Sequence, residues 1–117
     1  MSFTFGTRTW IDALARRANV AGAFATISHI GDDQRGDVII MTRDINGLVR
    51  LFGKAPPGLH DETTFEQLTP DASQMSEAEA TKYVNRRLSY DSDLWVIEID
   101  DKEGRHFLTE KVINAQS

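Results

Sequence analysis

The fold of this chain is decided by residues 93–100, which read DLWVIEID. They are the longest block of strong strand formers in the sequence, and acidic residues stand at both ends. Side chains alternate between the two faces of a strand, so Trp95, Ile97 and Ile99 point one way and Glu98 points the other. We predict that this segment is the central strand of a small sheet, with the three large apolar residues in a core.

One helix and three strands are predicted ahead of this segment. Trp10, Leu14 and Ala18 recur at helical spacing, which indicates an amphipathic helix that begins at Thr9 and ends near Gly22. Runs of strand formers then predict three strands, at residues 23–30, 37–43 and 48–53.

Residues 44–47, DING, connect the last two of these strands and fit two kinds of turn. A two-residue Asn-Gly loop would place Arg43 across from Arg50, a like-charge pair that destabilises a sheet unless an anion lies between them. A type I turn followed by a left-handed glycine places Arg43 across from Val49 instead. That register needs no anion, and we favour it since the same turn signal recurs at residues 101–104.

The second half of the chain opens with an acidic stretch, residues 59–75, which contains one short predicted strand at 64–68. Ser76 and Glu79 then form a capping box, in which a serine precedes a glutamate by three residues. The capping box predicts a second helix, which ends near Tyr90.

Residues 101–104, DKEG, repeat the turn signal and predict a hairpin after the central strand, with Phe107 facing Ile99 and His106 facing Asp100. The fold class that follows is α+β, with two helices and a mainly antiparallel sheet of five or six strands. The predicted order is α-β-β-β-(β)-α-β-β, in a single domain over residues 1–117. We expect both helices on one face of the sheet.

The composition excludes several classes of protein. The chain has 117 residues and a net charge of −5. Nucleic-acid affinity depends mostly on cations placed along phosphates, so we do not expect general nucleic-acid binding. The sequence has no cysteine, which excludes disulfides and thiolate ligands. No apolar run approaches the ~20 residues of a membrane span, and the first residues do not read as a secretory leader. We therefore expect a cytoplasmic protein without a membrane partner.

Several short motifs, in a fixed order and spacing, carry a resemblance to a known family. They are Trp10 with Ala15-Arg16-Arg17, Gly31-Asp32 and Gly36, Leu51-Phe52-Gly53, residues 93–100, Gly104-Arg105 and Phe107-Leu108. From about Arg8 to Leu108 the chain resembles a bacterial family called domain of unknown function 1491 (DUF1491). The resemblance implies a small bacterial protein, and it implies no activity, cofactor, partner or catalytic residue.

Two adjacent arginine pairs are the main candidate binding residues, Arg16 with Arg17 and Arg86 with Arg87. If the two helices lie side by side, the pairs frame one basic patch for a phosphate or for an acidic segment of a partner. In the alternative, Arg17 and Arg87 line the edge of the core and pair with strand acids such as Glu98. Arg16 and Arg86 are then solvated. The predicted binding residues are these four arginines and Glu98.

Glu98 and Asp100 lie two apart on a strand, so their carboxylates project from one face. With His106 opposite Asp100, the three side chains are the candidate site of a metal-dependent enzyme. A carboxylate beside His106 would raise its pKa. The structural alternative is a solvated strand end with an ordinary cross-strand pair.

Two other groups combine histidine with acidic residues, namely His29 near Asp32 and Asp33, and residues 60–62 (HDE). Neither has the spacing of metal ligands on a helix or a hairpin, so we interpret both as loop residues. We therefore predict no metal and no cofactor.

The leading hypothesis is a non-enzymatic cytoplasmic binding or accessory protein that acts through a protein or small-anion surface. Leu94, Val96 and Leu108 predict a second sheet face that is only partly covered, and such a face suggests a homodimer or another protein as partner. One alternative is a metal-dependent hydrolase of phosphate esters, and another is nucleic-acid binding through the four arginines.

Overall fold

The computed structural model describes residues 6–56, 63–68 and 75–113. Within these ranges the chain forms two helices and six strands, and the α+β class is confirmed. Neither helix of this part of the chain is long and apolar enough to cross a membrane. In chain order the elements are α1 (Thr7–Val20), β1 (Phe24–His29), β2 (Val38–Arg43), β3 (Val49–Lys54), β4 (Thr64–Gln67), α2 (Glu77–Tyr90), β5 (Trp95–Asp100) and β6 (Lys111–Ile113).

The strands form one mixed sheet in the order β1-β5-β2-β3-β4-β6. β5 is an inner strand, antiparallel to β1 on one side and parallel to β2 on the other. The β2–β3 and β3–β4 pairs are antiparallel, and the β4–β6 pair is parallel. The sheet is therefore mixed and not purely antiparallel, and β5 lies second from one edge.

Each face of the sheet carries its own core beneath one helix. Trp95, Ile97 and Ile99 lie in the first core with α1, which confirms that they point inward together. Leu94 and Val96 lie in the second core with α2. The prediction that both helices share one face is wrong. Because β2 and β5 are apolar at consecutive positions, both faces of these strands need cover.

The apolar face that suggested a partner surface is covered. Leu94 and Val96 are 0% and 2% exposed, in the core beneath α2. Leu108 is not on that face, since it packs against the first core. The predicted partner surface is therefore not at this face.

The β2–β3 turn has the register that we favoured. Arg43 faces Val49, and Arg50 faces Thr42, so no arginine pair forms across these strands. Gly47 has a φ of 80°, which is the left-handed conformation required after a type I turn. The Asp44 side chain accepts two hydrogen bonds from backbone N–H groups of the same turn.

The two helices begin in different ways. α1 starts at Thr7 and not at Thr9, and no side chain caps it. The Thr7 hydroxyl lies 3.2 Å from the carbonyl oxygen of Gly36, which ties the start of α1 to the loop before β2. α2 has the predicted capping box between Ser76 and Glu79, and it ends at Tyr90 as predicted.

The predicted hairpin after β5 is wrong, although its turn forms. Gly104 is left-handed and donates a hydrogen bond to the Asp101 carbonyl. Residues 104–110 then leave the sheet, because β1 and β2 already occupy both edges of β5. They cross α1, where the Arg17 guanidinium donates two hydrogen bonds to the carbonyl oxygen of Phe107, each 3.1 Å long.

Candidate functional site

The most highly connected charged group in the described part of the chain surrounds Arg43, at the end of β2. Its guanidinium contacts Glu77 at 3.1 Å and Glu98 at 3.2 Å, and it also pairs with Asp100. The parallel register of β2 and β5 sets Arg43 beside Asp100, and Glu77 comes from the first turn of α2. We call these four residues the Arg43 cluster.

The cluster carries more negative than positive charge. One guanidinium against three carboxylates gives a formal charge of −2. Burial alone would lower the pKa of Arg43, but its hydrogen bonds to Asp100 and Glu98 outweigh burial and raise that pKa. Arg43 is therefore fully engaged as a cation, and the excess carboxylate oxygens, which are partly exposed, are free to accept further hydrogen bonds.

A groove of about 190 Å³ runs between α2 and the neighbouring strands β1 and β5. Its floor is apolar, its rim is polar, and it is lined by Met41, Val84, Leu88 and Val96 together with Ser28, His29, Thr81, Asn85 and Glu98. The ring nitrogen Nδ1 of His29 lies 2.6 Å from the carbonyl oxygen of Leu94. A carbonyl only accepts, so Nδ1 carries the proton and, in the neutral ring, Nε2 is left as an acceptor.

β1 extends the groove into a wider open surface. In the antiparallel β1–β5 pair, Phe24 faces Asp100 and Thr26 faces Glu98, so all four side chains lie on the α2 side of the sheet. Ser28 lines the groove at the other end of β1. We call these five residues the shelf. Phe24 is 66% exposed, because the core beneath α2 contains residues of β2, β3 and β5 and none of β1.

The shelf ends in a shallow depression of about 270 Å³ at the tip of the sheet. Phe24 and Ile45 supply its apolar side chains, and Ile45 is 72% exposed. Arg43, Asp44, Asp100 and Lys102 supply most of its charged rim. The shelf and the depression together form an apolar and acidic surface beside α2.

The chain matches the family model described as "Protein of unknown function (DUF1491)" over residues 5–109. The chain belongs to the DUF1491 family. The sequence resemblance is thus confirmed over the whole range that carried it, from about Arg8 to Leu108. No curated protein matches this sequence.

Solved structures of similar proteins share the fold, and two of them are described as DUF1491 family proteins. A crystal structure of a family member from Caulobacter crescentus CB15 is 38% identical, with a TM-score of 0.82, over 94% of this chain and 98% of that one. An NMR structure of a family protein from the same bacterium is 40% identical, with a TM-score of 0.81, over 94% and 97% of the two chains. The solution structure of protein Atu0922 from A. tumefaciens is 29% identical, with a TM-score of 0.78, over 92% and 95% of the two chains.

The DUF1491 fold separates the two predicted arginine pairs. Arg16 and Arg17 are on α1 and Arg86 and Arg87 are on α2, and these helices lie on opposite faces of the sheet, so the pairs do not frame one patch. Arg16 and Arg86 are exposed. That any of these arginines binds a ligand stays a prediction.

The inner arginine of each pair makes a structural contact. Arg17 donates to the carbonyl oxygen of Phe107, and Arg87 pairs with Asp37 at 3.0 Å. Neither is the ion-pair partner of Glu98, which is Arg43. The guanidinium predicted beside Glu98 is thus supplied by a strand and not by a helix.

The predicted metal site is not assembled. His106 packs against the ring of Phe52 in the first core, with ring centroids 5.0 Å apart, whereas Glu98 and Asp100 are on the α2 side. Burial lowers the pKa of His106, so the predicted rise in that pKa is wrong. Within residues 6–56, 63–68 and 75–113 no three His, Asp or Glu side chains could hold a metal ion together.

The two loop groups with histidine have different outcomes. The Asp32 carboxylate accepts hydrogen bonds from the backbone N–H groups of Gln34 and Arg35, and Asp33 pairs with Arg8. The contacts of Asp32 are local to the loop, as we interpreted them, whereas Asp33 ties the loop to Arg8 on α1. Residues 60–62 lie outside the described residues.

Sequence reasoning missed Arg43 as a site residue. The sequence places Arg43 only beside the β2–β3 turn, across from Arg50 in one register and from Val49 in the other. Its contacts with Glu98 and Asp100 depend on the parallel pairing of β2 with β5, which are separated by more than 50 residues. The sequence contains no local signal for that pairing.

Proposed function

We propose that this DUF1491 protein is a non-enzymatic, cytoplasmic binding module that holds a basic segment of another protein on the shelf. The observation that carries the proposal is the position of α2. It covers β2 and β3 and leaves Phe24 open to solvent beside the Arg43 cluster.

Exposed apolar side chains support a protein partner. Single apolar residues on a surface are common and need no explanation. Phe24 and Ile45, however, line the same depression and are 66% and 72% exposed. Apolar side chains grouped in a concavity with a polar rim are typical of an interaction surface.

Charge supports a basic segment over a small anion. The Arg43 cluster has a formal charge of −2, and its guanidinium is already engaged by three carboxylates. Lysine or arginine side chains of a partner would find free carboxylate oxygens there, whereas an anion would be repelled. A complementary segment therefore combines an apolar side chain for Phe24 with cations for Glu98 and Asp100.

No catalytic residue is assigned. The hydrolase alternative requires Glu98, Asp100 and His106 in one site, and these residues lie on two faces of the sheet. No observation on the described residues favours that reaction over binding.

Site-specific photo-crosslinking tests this function. A benzophenone amino acid is placed at Thr26 on the shelf, and in a control protein at Arg35, which is exposed in the loop before β2. We expect a protein partner to be captured from Thr26 and not from Arg35. Equal capture from both positions would count against the shelf.

The captured partner is then purified and its affinity is measured against variants. Phe24→Ser and the double variant Glu98→Gln/Asp100→Asn should each weaken binding by roughly ten-fold or more. Tyr90→Ser is the matched control, because Tyr90 is 70% exposed at the end of α2. The affinity should also fall with added salt. Unchanged affinity in Phe24→Ser would rule out the shelf as the binding surface.

A further inference from the structure

We infer that β1 pairs antiparallel with β1 of a second copy of this chain, so that the two sheets join across a two-fold axis. In this dimer α1 of one copy packs against α1 of the other. The shelf is not needed for this contact, so the dimer stands whether or not another protein binds there.

β1 is an edge strand of the sheet. It is the first strand in the sheet order, and its residues, FATISH, include no lysine, no acid and no proline. Natural edge strands are usually protected by such residues, because their free backbone groups can pair with another chain. A bulge after Ile27 is the one irregularity in its pairing with β5.

The outward backbone groups of β1 can be assigned. The side chain of Asn19 accepts a hydrogen bond of 2.9 Å from the N–H of Ala25, so Ala25 turns its backbone groups away from β5. Backbone direction alternates along an antiparallel strand, so Ile27 does the same. No residue of the described chain bonds to the N–H or the carbonyl of Ile27 on that side.

The helix above the edge is at the right distance for a two-fold contact. α1 packs over β1 and β5. Adjacent strands are about 4.8 Å apart, and the two-fold axis lies midway between the two β1 strands. Because α1 lies over β1 and β5, it is roughly one strand spacing from that axis. The two copies of α1 would then lie about 10 Å apart, the distance at which helices with small side chains pack.

The flank of α1 that faces this edge is concave and self-complementary. Asn19 reaches the outer side of β1, so Asp12, Ala15 and Arg16, at helical spacing from it, face the same way. These four residues line one shallow depression on α1. It presents one acid, one base and a small side chain between them.

The two-fold axis places these charges opposite each other. Asn19 on α1 is level with Ala25 on β1. Ile27 lies about 6.6 Å further along β1, and this distance corresponds to four residues back along α1, from Asn19 to Ala15. An axis through Ile27 therefore sets Ala15 against Ala15 of the second copy. Asp12 then lies within about 3 Å, along the helix axis, of Arg16 of the second copy. Backbone pairing in this register is limited to Ile27 of the two copies, because the Asn19 side chain occupies the outer side of β1 at Ala25.

A second copy fits this edge better than an unrelated extended peptide. A peptide of one charge sign would be attracted by either Asp12 or Arg16 and repelled by the other. An antiparallel copy of α1 satisfies both residues at once, twice over by symmetry.

A charge swap on the full-length protein tests the dimer. Sedimentation is measured over a range of protein concentrations for the unmodified chain, Asp12→Arg, Arg16→Asp and the double variant Asp12→Arg/Arg16→Asp. Each single variant should weaken the dimer by roughly ten-fold or more, and the double variant should recover most of the loss. Arg86→Asp, on α2, is the charge control and should have no effect. Circular dichroism confirms that each variant is folded.

Amide exchange locates the interface. The N–H of Ile27 should exchange slowly in the dimer and quickly on dilution, whereas the N–H of Thr26, which points to β5, should stay protected throughout. A chain that is monomeric at every concentration measured would overturn the inference. A dimer would also overturn it if the charge swap left the association unchanged and dilution left the exchange of the Ile27 N–H unchanged.

Discussion

Arg43 and Asp100 lie side by side on the parallel strands β2 and β5, and an ion pair joins them. The same guanidinium binds Glu77, so it also connects the sheet to the first turn of α2. These elements are far apart in the sequence, and each pair is partly exposed. One pair of this kind is worth little on its own. Without Arg43, however, three carboxylates would face one another without a cation.

Replacing Arg43 by methionine should therefore lower the free energy of unfolding by about 1–2 kcal/mol at pH 7. The loss should shrink at high salt, because screening weakens the repulsion among the three carboxylates. Urea denaturation at low and at high salt measures both effects. Arg86→Met, at an exposed position on α2, is the control and should have almost no effect. An equal loss in both variants would show that the cluster does not stabilise the fold.

Local signals in the sequence were sufficient for several elements. Ser76 and Glu79 fix the start of α2 because their side chains and backbones bond to each other within one turn. The DING turn fixes the β2–β3 register because Asp44 and Gly47 meet its geometric requirements locally. Such features depend on neighbours a few residues away, so the sequence displays them directly.

The position of β5 could not be obtained in this way. Its apolar residues predict a strand that is buried, but they do not say that β1 and β2 are its neighbours. The hairpin prediction failed because it assumed a free edge on β5, and the predicted contact of His106 with Asp100 failed with it. The Arg43 cluster was missed for the same reason, since it exists only once β2 and β5 are paired in parallel.

His106 should make the fold sensitive to pH. Its Nδ1 accepts a hydrogen bond from the N–H of Leu108, and burial lowers its pKa from the usual 6.5. The unfolded chain therefore binds a proton more readily than the folded one. Stability should be complete above about pH 6.5 and should fall as the pH drops below that value.

Urea unfolding midpoints between pH 7.5 and 5.5 measure this effect. The midpoint of the unmodified protein should fall over this range more steeply than that of His106→Gln, which cannot titrate. Identical slopes for the two proteins would contradict a buried, neutral His106. Their absolute stabilities need not agree, because glutamine does not pack against Phe52 as an imidazole does.

Asp101 should stabilise the turn after β5. It is 5% exposed, and its hydrogen bonds from the side chain and backbone N–H of Arg105 and from the backbone N–H of Glu103 lower its pKa to about 2. An acid whose pKa is lowered in the folded state stabilises the fold above its unfolded pKa, which is near 3.8 for Asp101. This stability is lost as the pH falls toward 2.

Asp101→Asn should therefore destabilise the protein by about 1–3 kcal/mol at neutral pH, because partly buried donors lose a charged acceptor. The difference from the unmodified protein should narrow between pH 4 and pH 2. Chemical denaturation at both ends of that range gives the comparison. Glu103→Gln is the matched control, since Glu103 is exposed and its carboxylate comes no closer than 3.7 Å to the Arg105 guanidinium. A loss of similar size in the control would assign the effect to general charge and not to Asp101.

Gly31 should tolerate no side chain, because two backbone segments meet there. A Cβ on Gly31 would lie 2.0 Å from the carbonyl oxygen of Asp93, and the loop is held in place by a hydrogen bond from the Trp95 ring to the Asp32 carbonyl. Gly31→Ala should destabilise the fold by about 1–3 kcal/mol or more, since neither backbone can move without disturbing Trp95.

Gly53→Ala is the control for this substitution. A Cβ there would meet only the end of the Leu68 side chain, at 3.1 Å, and a leucine methyl group can shift. Thermal unfolding of both variants, followed by Trp fluorescence, should show a large loss for Gly31→Ala and a small one for Gly53→Ala. The reverse order would mean that the loop after β1 does not pack against the start of β5 as described.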